Sequence, residues 1–124
     1  MQQLLAVGLG GFIGAIARYA MSGIVYRYWG TGFPYGTFAV NILGCFILGF
    51  FAILSEERTV LHPLVRNLIA VGLLGSFTTF STFSYETLML VRDGSLLSAG
   101  ANIAASLLLG LLAVYAGIVL ARLI

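Results

Sequence analysis

The chain has 124 residues, 60% of them hydrophobic and 8% charged, with a mean hydropathy of +1.08. Soluble domains are about one quarter charged, so this composition excludes a soluble fold and predicts an integral membrane protein with no room for a separate soluble domain. The formal net charge of +2, from six arginines and four acids with no lysine, is too small and too scattered for nucleic-acid binding.

A helical span needs about 20 predominantly apolar residues, and four such stretches follow in chain order: about 4–25, 36–54, 64–91 and 96–120. No cleavable leader is expected, because a basic n-region is lacking and the apolar run from Leu4 continues as a span. The linkers carry turn chemistry: Trp29-Gly-Thr-Gly-Phe-Pro34, Ser55-Glu-Glu-Arg-Thr59 with His62-Pro63, and Arg92-Asp-Gly-Ser95. Pro34 and Pro63 fall where spans begin and a missing N–H is tolerated. His62 reads as a solvated loop residue, with no second histidine to complete a metal site.

In span one, Gly10 and Gly14 form a small-xxx-small pair that lets helices approach closely. Arg18 falls late in that span, either snorkelling to the interface or setting a positive potential at a pore mouth. Tyr26, Tyr28, Trp29 and Tyr35 form an interfacial aromatic belt. Span two carries Thr37, Asn41 and the single Cys45, a small packing residue with no disulfide partner. An amide in a span must be bonded. Asn41 is therefore either an interhelical hydrogen-bond former or a donor to an anion, since it offers two N–H groups.

Span three holds the most informative segment. Gly-Ser-Phe-Thr-Thr-Phe-Ser-Thr-Phe-Ser at 75–84 packs six hydroxyls and three phenylalanines into ten positions, inside a stretch with no charge from Asn67 to Tyr85. Hydroxyls at this density compete with the backbone for hydrogen bonds and loosen a helix. At membrane depth every peptide group must find a partner, so the segment is either buried in protein or lines a polar path. Phe80 and Phe83 share a helical face if the helix continues there. A phenyl ring is positive at its rim, and weak uncharged donors suit an anion that must bind and leave quickly. Glu86 follows directly and either pairs within an assembly or faces a polar path. In span four, Ser98, Asn102, Ser106 and Gly110 recur every four residues, as a helix-packing seam or as a face of an aqueous vestibule; Ser106 and Gly110 form a second small-xxx-small pair.

With four spans, one side of the membrane holds Arg58, Arg66 and Arg122, and the other Arg27 and Arg92, with Arg18 if it reaches that interface. So even a split gives almost no positive-inside signal, and insertion in both orientations is expected. Oppositely oriented copies would pair as the two-chain counterpart of an inverted repeat. Four short helices are also too few to enclose a hydrated pore, which favours a homodimer.

Gly75-Ser-Phe-Thr-Thr-Phe-Ser-Thr-Phe-Ser-Tyr-Glu86, Gly36-Thr-Phe-Ala-Val-Asn-Ile-Leu-Gly44 and Gly10-Gly-Phe-Ile-Gly14 with Arg18 closely resemble the bacterial Fluc (CrcB-type) fluoride channels, across essentially the whole chain. Ser76 stands where many members are expected to have glycine, and it is small enough to leave the segment undisturbed. The resemblance implies an all-α membrane protein of four transmembrane helices, the third broken mid-membrane near Gly75–Thr79, assembled as an antiparallel dual-topology homodimer with two pores. It implies passive export of fluoride across the bacterial inner membrane and resistance to that ion. Phe80 and Phe83 match the pore phenylalanines, Asn41 the pore asparagine, and Ser81, Thr82 and Ser84 are candidates for a polar track. Backbone carbonyls matching Gly75 and Thr78 are implied to bind a structural Na+ at the dimer centre.

Two other classes compete. A dual-topology drug/proton antiporter needs an embedded carboxylate, and span one has no acid at all. A passive assembly protein has no use for the hydroxyl-rich segment. No Ser-His-acid set, metal-ligand cluster or nucleotide loop supports an enzyme.

Overall fold

The computed structural model describes every residue except Thr59 and Val60. The expected loop segment ending at Thr59 therefore lies partly outside the described residues. Helix α1 runs Gln2–Trp29 and ends where Gly30 adopts φ +82° and donates its N–H to the Tyr26 carbonyl. Helix α2 spans Tyr35–Ile53 and continues as a π-helical segment, Leu54–Arg58. The third span, Pro63–Arg92, is composite. It comprises α3 (Pro63–Arg66), a π-helical segment Asn67–Leu74, α4 (Gly75–Phe77) and α5 (Phe80–Arg92). Helix α6 runs Leu96–Leu123. Among the described residues, four helical spans are thus long and apolar enough to cross a membrane.

The turns follow the sequence chemistry. His62 is more than a solvated loop residue: its Nδ1 accepts from the Leu64 N–H and caps α3, with Pro63 in the first turn. At the other end of the third span, Gly94 at φ +80° ends α5. The Ser95 N–H bonds the Leu90 carbonyl and the Gly94 N–H bonds the Val91 carbonyl, a Schellman arrangement.

Helix α2 packs along α6 and also against α1, while α1 lies along the first half of the third span. Past α4 the chain leaves α1, and α5 packs on α6. The third span therefore crosses from one flank of α2 to the other. Its first half is backbone-on-backbone. A Cβ on Gly10 would strike the Leu68 carbonyl, one on Gly14 the Leu73 carbonyl, and one on Gly72 would lie 2.6 Å from the Val7 carbonyl oxygen. The α2–α6 seam uses Gly49 against the Val114 carbonyl and Gly117 against the Phe46 carbonyl. Gly110 is buried, but a Cβ there would meet only Cys45 Sγ, at an ordinary 3.8 Å, so the Ser106/Gly110 pair is not the closest approach.

Candidate functional site

Between α4 and α5 the backbone is extended, with Thr78 at φ −84°, ψ 155° and Thr79 at φ −150°, ψ 115°. In a continuous α-helix the Thr79 N–H would close on the Gly75 carbonyl and the Thr82 N–H on the Thr78 carbonyl. Here the Thr79 N–H donates to Asn41 Oδ1 at 2.7 Å, and the Thr82 N–H to Thr79 Oγ1 at 3.3 Å. Asn41 Nδ2 in turn donates to the Thr79 carbonyl at 3.0 Å, so one amide satisfies both polar groups of Thr79. The density of hydroxyls that loosens the helix also repairs it. Thr78 Oγ1 donates to the Leu74 carbonyl, and Thr79 Oγ1 donates to Thr82 Oγ1 and contacts Ser81 Oγ at 3.3 Å. Gly44 lets α2 reach this point, since a Cβ there would collide with Thr78 Cγ2.

A cavity of about 300 Å³ opens at the interruption. Among its lining residues are Asn41, Gly75, Thr78, Thr79, Phe80 and Phe83, so the structure brings five of the sequence-derived candidates together with Thr79. The Phe80 and Phe83 rings lie 5.7 Å apart at 41°, and Phe80 is 75% exposed on this protomer. Ser81, Thr82 and Ser84 stand outside the lining: the first two gather on Thr79 Oγ1, and Ser81 and Ser84 are exposed on α5. Arg18 is also elsewhere. Because α1 extends to Trp29, Arg18 sits just past the middle of the helix rather than late in it. It is half-buried, and its Nε is shielded with no hydrogen-bond partner among the described residues.

Three features have partners that the sequence left open. Gly44, Cys45 and Ser106 also line the cavity. Glu86 is held by two hydroxyls, Tyr26 donating at 2.9 Å and Thr37 at 2.7 Å, which ties α1, α2 and α5 together. Gly36 makes room for this, since a Cβ there would strike the Tyr26 ring. Finally, Asn102 on α6, only 1% exposed, donates from Nδ2 to Thr87 Oγ1 at 2.8 Å. The polar periodicity of span four was the available signal. In the structure Asn102 is buried between α5 and α6, and Ser106 lines the cavity.

Fold and site together define a polytopic helical membrane protein with a polar interruption in its third span. The chain belongs to the CrcB family: the family model described as "CrcB-like protein, Camphor Resistance (CrcB)" matches residues 5–118. It is 49% identical over 122 residues to a protein of Magnetococcus marinus, covering 98% of this chain and 99% of that one. It is 48% identical over 124 residues to a protein of Sulfurihydrogenibium sp., covering all of both chains. A Geobacter sp. protein is 44% identical over 122 residues, covering 98% of each. All three are called "Fluoride-specific ion channel FluC".

Proposed function

We propose that this chain is a fluoride-selective channel that exports fluoride passively across the bacterial inner membrane and so confers resistance to it. Relatives at 44–49% identity over nearly their whole length are named fluoride-specific ion channels. The observation that carries the reading is the cavity at the interrupted span. Two phenylalanines on successive turns stand beside an amide and hydroxyls, and no carboxylate lines the cavity. Ring edges and N–H groups attract an anion, while the absence of a lysine or arginine side chain from the lining lets it leave. Asn41 uses one amide N–H on the Thr79 carbonyl, and its second is left for the cavity. Ser81, Thr82 and Ser84 would extend the polar track, and Arg18 would raise the potential at a pore mouth.

The working unit in this reading is an antiparallel homodimer of dual topology, with the interruption at mid-membrane depth. Support comes from α5, which exposes Phe80, Ser81 and Ser84 on the single protomer. Hydroxyls facing lipid would be unfavourable, and a second copy would cover them. A structural Na+ fits the same place. Gly75 and Thr78 are among the residues whose carbonyls lose their helical donors at the interruption: the Thr79 N–H goes to Asn41 and the Thr82 N–H to the Thr79 hydroxyl. Hard cations prefer oxygen ligands, and a partner copy would double the pair. The ion would supply positive charge that offsets the cost of bringing an anion to membrane depth.

The test is ion efflux from proteoliposomes. Fluoride should leave rapidly while chloride stays; equal rates for both would overturn the selective-channel reading. A parallel arm replaces sodium by a bulky organic cation on both sides after long dialysis. Flux or dimer stability should then fall, and indifference to complete sodium removal would reject the ion.

A further inference from the structure

Helix α5 carries Phe80 and Phe83 into the cavity, yet within the protomer it has little apolar packing. It meets α6 over a limited surface and α2 over less. Tyr85, Leu88 and Val91 on it are exposed. Its rotation about its own axis therefore depends on polar tethers. One of these, from α6, is unlike the others because it is fully enclosed. Asn102 is 1% and Thr87 8% exposed. Asn102 Nδ2 donates to Thr87 Oγ1 at 2.8 Å, and Thr87 Oγ1 donates to the Phe83 carbonyl at 2.7 Å. On its other side Asn102 Oδ1 accepts from Ser106 Oγ at 3.3 Å, and Ser106 lines the same cavity as Phe83.

We infer that Asn102 is a positioning residue for conduction: its amide latches α6 to Thr87 and so fixes the direction in which α5 presents Phe83 to the cavity. It touches no permeating ion in this role. The geometry favours a latch over simple packing for two reasons. The amide spans two helices that otherwise meet little, and its hydrogen bond lands one turn from the ring, on the hydroxyl that already grips the Phe83 carbonyl. A side chain merely filling the seam would be apolar, since a buried amide without partners is unfavourable.

The inference rests on the fluoride-channel reading, and the experiment separates the two. Wild type, Asn102→Leu, Thr87→Val, the double variant and Thr87→Ser are reconstituted at equal dimer content, and fluoride flux is measured against fluoride concentration. Asn102→Leu is a fair probe because Thr87 keeps its bond to the Phe83 carbonyl and Ser106 can bond back to its own helix. Thr87→Ser keeps the hydroxyl. The latch predicts that Asn102→Leu and Thr87→Val each lower maximal flux about tenfold, the double no further, with Thr87→Ser near wild type. The loss should appear per assembled dimer, which a purely structural role would not produce. If wild type conducts and all variants conduct equally per dimer, or if the two losses multiply in the double, the latch is wrong. If wild type moves no fluoride, the channel reading itself fails.

Discussion

Before Thr78 the third span lies on α1 backbone to backbone, with Gly10, Gly14 and Gly72 at the contact. After Thr79 the same span is held by side-chain hydrogen bonds from three other helices: Asn41 on α2 to Thr79, Tyr26 on α1 and Thr37 on α2 to Glu86, and Asn102 on α6 to Thr87. Close glycine packing fixes position and admits no atom more. Interhelical hydrogen bonds in membranes contribute modestly, about 0.6 kcal/mol on average, but they fix direction. The first half is therefore a rigid mount, and the second is an aimed element that carries the aromatic rings.

The largest effect is expected where the halves join. Asn41→Asp retains an acceptor for the Thr79 N–H but sets a second carboxylate oxygen where Nδ2 now meets the Thr79 carbonyl at 3.0 Å. The added charge also opposes an anion in the cavity. A repulsion of about 4 kcal/mol at 4 Å in an effective dielectric of 20 corresponds to a flux loss of about a thousandfold. Liposome efflux with the carboxylate shown to be ionised measures it, and wild-type flux would remove Asn41 from the path.

A smaller effect is expected on the aimed half. Phe80→Ile or Phe83→Ile keeps apolar bulk and removes the ring edge. Aromatic contacts of this kind are worth about 0.5–1.5 kcal/mol beyond their area, so each change should lower fluoride flux about two- to tenfold in dimers that still assemble. Unchanged flux would assign the rings to packing.

The smallest change in flux belongs to the mount. Gly14→Ala drives a methyl group toward the Leu73 carbonyl. Overpacking of this kind costs about 1–3 kcal/mol, which a lowered unfolding midpoint in detergent would register. Flux per surviving dimer should stay at the wild-type level. A mutant that assembles normally but conducts poorly would erase the distinction between mount and aimed half.

Much of this was legible in the residues. Apolar runs separated by Gly, Pro and Asp placed four helices, and the hydroxyls of 75–84 marked where the third would yield. The partner that repairs the break was not legible. Asn41 reads equally as an anion donor or as an interhelical bond, and only the approach allowed at Gly44 shows that its amide meets Thr79. The π-helical winding of Asn67–Leu74 left no trace, because an apolar stretch with glycine looks the same in either winding. Gly72, Gly49 and Gly117 were missed for a related reason: a close approach depends on which backbone faces the glycine. Arg18 was read as late in span one because the span was cut at Val25, before an aromatic turn that is in fact helical.

The two ends of the protomer are joined by different electrostatics. At one, Glu86 is bonded by the Tyr26 and Thr37 hydroxyls and is half-buried beside a cavity of about 450 Å³. At the other, Arg66 pairs with Glu56 and Arg122 with Glu57, each at 3.0 Å, with all four side chains about half exposed. Ionic strength acts on these unequally. The screening length falls from about 30 Å at 0.01 M to about 3 Å at 1 M salt, so the exposed ion pairs fade more than the short hydroxyl–carboxylate bonds of Glu86. In the antiparallel arrangement proposed above, each face of the membrane presents one end of each kind. Brine on either side alone would loosen one protomer's outer joints and leave its partner's intact, making a symmetric dimer mechanically lopsided across a salt gradient.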